Sequence, residues 1–211
     1  MIFTSRLFSP IAIVKHNIHA LVSNSIIANY PIYGQVSFTL SNDANLLILI
    51  NSRGSYNLYN VIDHQIQSID GVGTSGFFGL NATQSGNRIQ IRGGYEDDTV
   101  DLGWYQYGGG SGENSPLILL SNNEIYSNGE QVTHTVSDEC TVIIVLCLYN
   151  NDTGIGNHVG RPYVFYKRGN IFVESEESLL NTNQYIGMTV NVSGNIVTMS
   201  SGVTIRLIEF Q

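Results

Sequence analysis

A chain of 211 residues is long enough to bury a sizeable core, yet only 12% of it is charged, about half the usual share, and its polarity comes instead from 22 Asn, 22 Gly and many Ser and Thr. The formal net charge of −8, with nine scattered Lys and Arg, leaves no basic stripe to neutralise successive phosphates, so nucleic acid is excluded as the expected ligand. The longest apolar run, Val142 to Leu148, falls far short of the ~20 residues that cross a bilayer, and no membrane insertion is expected.

Residues 1–30 are apolar at Ile11-Ala12-Ile13-Val14, but Pro10, Lys15, His16 and His19 interrupt the run and no compact core with a small-residue cleavage site is visible, so no signal peptide is expected; of these, residues 1–20 lie outside the repeat described next. The segment has no counterpart later in the chain. It reads as an N-terminal arm that docks on a partner or as an extra strand completing the first sheet.

From residue 21 the chain carries a pattern that it later repeats. Leu21-Val22-Ser23-Asn24 resembles Leu119-Leu120-Ser121-Asn122, and the stretch Gln35 to Ile50 returns 96 positions later as Gln131 to Leu146. Val36, Phe38 and Leu40 alternate with Ser37, Thr39 and Ser41, the period of a half-buried strand. Val132, His134 and Val136 keep that phase. The unbroken runs Leu46 to Ile50 and Val142 to Leu148 suit strands covered on both faces, in the middle of a sandwich or at an interface. Between alternating and continuous stretches lie Ser41-Asn42-Asp43-Ala44-Asn45 and Ser137-Asp138-Glu139-Cys140-Thr141, read as hairpin-like links because Asn and Asp tolerate turn dihedrals.

Ser85-Gly86-Asn87 and Ser193-Gly194-Asn195, each flanked by alternating residues, predict tight hairpins, and each follows a similar tetrapeptide, Phe77 to Leu80 and Tyr185 to Met188. Trp104, Tyr105 and Tyr107 predict the last strand of the first copy, matched by Val203 to Phe210 at the end of the second. Gly108 to Pro116 is a glycine-rich connection. The expected organisation is therefore residues 1–20 as arm or extra strand, 21–108 as a first β-sandwich, 109–116 as linker and 117–211 as a second. The fold class is all-β, two tandem, internally duplicated antiparallel sandwiches of jelly-roll-like form.

Cys140 and Cys147 lie in or beside one strand, about 23 Å apart at strand rise, and cannot bridge each other, which points to free thiols and assembly in a reducing compartment. Residues 174–180 allow one or two helical turns at most.

Chemical signatures are sparse. No Gly-x-Ser-x-Gly nucleophile elbow occurs; the nearest stretch, Gly109 to Glu113, ends in Glu and precedes no helix. Of the five histidines only His16 and His19 are close, with no companion ligand at metal spacing, and the acidic cluster Glu96-Asp97-Asp98 with Asp101 lacks the alternating spacing that wraps a loop around Ca²⁺. Nothing pairs the carboxylates Asp97, Asp98, Glu174, Glu176 and Glu177 across a cleft as glycoside hydrolysis requires. No enzyme activity, cofactor or metal is expected.

What remains suits recognition. Tyr56, Tyr59, Trp104, Tyr105 and Tyr107 lie beside Gly, Ser and Asn, the mixture in which rigid rings supply contact area and small polar groups supply hydrogen bonds, although Trp104, Tyr105 and Tyr107 read first as the last strand of the first sandwich, with some of the rings in its core. The second copy is longer in the loop Asn150 to Tyr163, where Asp152, Asn157, His158, Arg161 and Tyr163 are the binding candidates, a subunit contact being the other reading of the same loop.

The apolar strand leading to Asn51-Ser52-Arg53-Gly54-Ser55-Tyr56-Asn57, the later Ser-Gly-Asn hairpin and the short terminal strand resemble the small β-sandwich modules of bacteriophage fibres, receptor-binding proteins and capsid decorations. That resemblance implies a non-enzymatic virion structural protein on head or tail, assembled in the host cytoplasm. It implies a homo-oligomer, commonly a trimer, that contacts other virion proteins and in some cases a host-surface glycan. The chain lacks the long shaft of a fibre. The alternative function is a soluble carbohydrate-binding module.

Overall fold

The structure, a computed structural model, describes residues 18–31, 35–52, 54–72, 80–92, 99–109, 115–148, 162–175, 188–202 and 204–211. These form strands throughout, with no helix among the described residues. The first eight are β1 (Ala20–Pro31), β2 (Gln35–Thr39), β3 (Ala44–Asn51), β4 (Tyr56–Ile62), β5 (Gln65–Val72), β6 (Asn81–Ser85), β7 (Arg88–Arg92) and β8 (Thr99–Gly108). The next eight are β9 (Leu119–Tyr126), β10 (Val132–Thr135), β11 (Val142–Leu148), β12 (Tyr163–Arg168), β13 (Ile171–Glu174), β14 (Thr189–Ser193), β15 (Ile196–Ser200) and β16 (Thr204–Phe210).

Each set of eight builds a sandwich of one large and one small antiparallel sheet. The first has order β1-β8-β3-β4-β5 over β2-β7-β6; the second has β9-β16-β11-β12-β13 over β10-β15-β14. Adding eight to every label of the first unit generates the second. Register agrees as well: Val36 lies opposite Ile91 as Val132 lies opposite Met199, and Leu46 opposite Tyr107 as Val142 opposite Phe210. The first strand of each unit pairs with its last, and the second with its seventh, the rolled connectivity expected from a jelly-roll-like chain.

One expectation about connections is corrected. Ser41 to Ala44 does not turn a hairpin, because β2 belongs to the small sheet and β3 to the large one, and the chain crosses between layers there. The reason is burial. β2 alternates and covers one face, whereas β3 is apolar at every position from Leu46 to Ile50, so the two strands cannot share a sheet with one solvated face. The same crossing joins β10 to β11. The Ser-Gly-Asn hairpins form as predicted: Ser85 pairs with Arg88 and Ser193 with Ile196, with Gly86 and Gly194 at φ 57° and 58°, a positive φ that glycine adopts without strain.

Three apolar cores result. On β3, Leu47 and Leu49 point to the small sheet of their own unit, joining Leu40, Ile89, Ile91, Leu102 and Trp104. Ile143 and Val145 of β11 do the same with Val136, Met188, Val197, Met199 and Leu207. The intervening residues Leu46, Ile48 and Ile50 meet Val142, Ile144 and Leu146 across a central core that also holds Tyr56, Leu58, Tyr105, Tyr107, Val164, Ile208 and Phe210. The large sheets of the two units thus lie face to face, and Leu46 to Ile50 and Val142 to Leu146 are covered on both sides.

The contact between units is nearly two-fold. Ala20 is paired with Gly108 at the end of β8, and Ile118 with Gln211 just past β16, so His19 and Leu117 hold equivalent places; Asn60 and Tyr166 are equivalent because they lie opposite Leu46 and Val142. The His19 ring packs edge-on against Tyr166 at 4.4 Å, and Asn60 binds both the N–H and the carbonyl of Leu117, at 2.9 and 3.2 Å. A residue of the first unit touches the second, and its counterpart returns the contact, which is the signature of an isologous interface. Of the predicted N-terminal arm, residues 18–20 are described; Ala20 opens β1, and Ile18 is buried in the central core, where its carbonyl accepts the Ser175 hydroxyl at 2.5 Å.

Candidate functional site

The aromatic residues predicted to contact a ligand are placed in cores. Tyr56, Tyr59, Trp104, Tyr105, Tyr107 and Tyr163 are each at most 9% exposed. The cause is strand position: β8 lies between β1 and β3, with the small sheet on one face and the second unit on the other. Trp104 stacks on Phe38 with ring centres 4.7 Å apart, and the Tyr107 hydroxyl donates to the carbonyl of Pro162, 3.3 Å away in the other unit. Trp104, Tyr105 and Tyr107, which the sequence also allows as core residues of a last strand, are buried in β8.

Asp152, Asn157, His158 and Arg161 lie outside the described residues, as do Glu96, Asp97 and Asp98. Asp101 is buried, with its backbone N–H bonded to Ser52 Oγ at 2.9 Å. No group of three or more metal-ligating side chains occurs among the described residues. Cys140 is a free, buried thiol held up to about 12 by burial and by the nearby charge of Glu209, a setting for packing and not for nucleophilic chemistry.

The fold assembles two polar clusters that sequence reasoning did not find. The first spans the units. Tyr56 of β4 donates its hydroxyl to Asp70 Oδ2 of β5 at 3.0 Å, while Asn122 of β9 donates to the same hydroxyl and the same carboxylate at 2.7 and 2.5 Å. Arg206 of β16 reaches the Asn122 carbonyl oxygen at 3.5 Å and pairs with Glu124. Burial pushes the Tyr56 phenol up to about 12, with Asp70 adding to the effect. These residues are scattered over 150 positions without a motif, so no local signal identifies them.

The second cluster is a pair of equivalent polar ties, one per unit. Gln106 of β8 is fully buried; its Oε1 accepts the Ser41 N–H at 2.6 Å and its Nε2 donates to the Thr39 carbonyl at 3.1 Å, so it fastens the layer crossing to the large sheet. Its counterpart is Glu209 of β16. There Oε2 accepts the Ser137 N–H at 2.7 Å, and Oε1 accepts the Ser121 hydroxyl at 2.8 Å and His134 Nε2 at 2.9 Å. Burial would raise this carboxyl, but the bonds from Ser137, His134 and Ser121 outweigh it and hold Glu209 below the usual carboxylate range.

On the outside, β9 forms one edge of its sheet among the described residues, with its end residues Leu119 and Tyr126 39% and 64% exposed and Ile118 just before it 58% exposed. Unpaired backbone groups along an edge, flanked by exposed apolar side chains, template the addition of another chain. Fold and site together define a duplicated double β-sandwich. Comparison with protein-family models, with curated proteins and with solved structures returns no match.

Proposed function

We propose that this chain is a non-enzymatic structural protein of a bacteriophage virion, displayed on head or tail, whose fused sandwiches serve assembly and whose long second-unit loop serves adhesion to the host surface. The observation that carries the assembly role is the β9 edge with Ile118, Leu119 and Tyr126 laid open beside it. A surface poor in charge and rich in Asn, Ser and Thr supports the same reading, since neutral hydrogen-bonding groups lose less on desolvation in a packed assembly than charges do. With Tyr56, Tyr59, Trp104, Tyr105, Tyr107 and Tyr163 buried, adhesion falls to the 150–161 loop with Asp152, Asn157, His158 and Arg161.

Light scattering on the eluting protein tests the assembly role. The expected result is an oligomer, a trimer on the analogy with phage modules, which the double variant Ile118→Lys, Tyr126→Lys reduces to a monomer. A monomeric wild type that also binds no virion protein would remove the proposal. Binding of the monomer to a glycan array through the 150–161 loop would favour a carbohydrate-binding module instead.

A further inference from the structure

The duplication supplies an internal control for the tie between layers. The same place in the fold is filled by an amide in the first unit and by a carboxylate in the second. Gln106 matches its partners atom for atom, its oxygen against an N–H and its NH₂ against a carbonyl, and none of these groups titrates. Glu209 instead faces two donors, the Ser137 N–H and the Ser121 hydroxyl, and His134 Nε2, which donates as well whenever it carries a proton, an arrangement that suits the ionised acid. The position of His134 is occupied in the first unit by Phe38, which stacks on Trp104. Sequence divergence has thus made one tie ionic and left the other neutral.

We infer that the Glu209–His134 cluster is an acid-sensitive latch, so that acidification loosens the small sheet of the second unit from its large sheet while the Gln106 tie holds the first unit closed. The groups around Glu209 come from three directions. His134 approaches from β10 and Ser121 from β9, and the Cys140 thiol lies near it from the β10–β11 crossing. Lys167 of β12 acts on Cys140 and donates to the Asp138 carbonyl at 3.2 Å, not to Glu209. His134 is the basic partner in this set, and a proton arriving on Glu209 turns one of its two oxygens from acceptor to donor, so the carboxyl no longer holds the Ser137 N–H, the Ser121 hydroxyl and a protonated His134 Nε2 together.

The direction with pH follows. Glu209 sits below the ordinary carboxylate value in the folded chain, so its stabilisation is complete above that value and is lost as pH falls through the folded one. Loosening would uncover Cys140, Ile143, Val145 and Met199 of the second core and none of the first.

The single tryptophan, Trp104, lies in the first unit and makes the two units separately readable. Urea unfolding of the full chain at pH 7 and pH 3, followed by Trp104 fluorescence and by far-ultraviolet circular dichroism, tests the latch. At pH 7 the two signals should share one transition. At pH 3 the dichroism should develop an earlier step, displaced by about 1 M urea, that the fluorescence lacks. Glu209→Gln, whose NH₂ would face the Ser137 N–H or the Ser121 hydroxyl, should show the early step already at pH 7. Coincident transitions of the wild type at pH 3 would overturn the inference without any variant, and so would a Glu209→Gln that keeps one shared transition at pH 7.

Discussion

Gly108 shows how much a single missing side chain can decide. It ends β8 where the chain crosses beneath the start of β3, and a Cβ there would lie 1.6 Å from the Asp43 carbonyl oxygen, a backbone atom that cannot swing aside. Gly86 differs, since its hairpin tip is open and only its φ of 57° disfavours a side chain. Gly108→Ala is therefore expected to cost about 3 kcal/mol by overpacking and Gly86→Ala about 1 kcal/mol by backbone strain, compared by urea denaturation. Equal costs would mean that the crossing is looser than its geometry states. Sequence reading placed Gly108 in a flexible connection and Gly86 in a turn, because flanking alternation marks a hairpin locally while a crossing at 43–44 leaves no trace beside residue 108.

Among the elements, the β4–β5 hairpin is a turn that composition concealed. Asp63 and His64 occupy its two loop positions with φ of 51° and 59°, a pair of left-handed residues without the Asn-Gly or Asp-Gly dipeptide that announces this turn. The strain is offset nearby. Gln84 of β6 donates to the His64 carbonyl at 2.5 Å and accepts the Ile66 N–H at 2.8 Å, so a side chain from the small sheet clasps the turn. His64→Gly keeps those backbone bonds and relieves the strain, and should stabilise the chain by about 0.5 to 1 kcal/mol once the added freedom of the unfolded glycine is subtracted. Thermal unfolding checks the sign: a lower melting temperature would show that the imidazole itself holds the turn. The central strands were easier to read. Unbroken apolar runs at Leu46 to Ile50 and Val142 to Leu148 require cover on both faces, and for Leu46 to Ile50 and Val142 to Leu146 the structure supplies it from the small sheet on one side and from the other unit on the opposite side.

At the scale of the molecule, the central core makes the chain a covalent analogue of a symmetric dimer. Among the described residues sixteen buried ones form that core, drawn from both units and the connections before them, and the His19 ring with polar contacts from Asn60, Tyr107, Asn122 and Ser175 surround it. Apolar cover on this scale matches an obligate interface more than a contact between independent domains. A protease site placed in the 109–116 connection should accordingly cut the chain without separating it, the halves eluting together near the intact mass of 23.2 kDa. Halves that part on cleavage would show that the connection, and not the core, holds the units. The Tyr56–Asp70–Asn122–Arg206 cluster has no two-fold counterpart, since Pro162 and Ser175 stand at the positions matching Tyr56 and Asp70. It joins the first unit to the second and would be lost if two first units paired with each other.

The sequence by itself determined the strand pattern, the turns that carry glycine and the fact of duplication, because alternation, turn dihedrals and repetition are properties of neighbouring residues. Tertiary structure alone decided that the aromatic rings are covered, that the links at 41–44 and 137–141 cross between layers, and that Tyr56 meets Asn122 and Glu209 meets His134. Those outcomes depend on which sheet lies across each face, and burial is set by partners 50 to 150 positions away whose approach no local stretch of chain records.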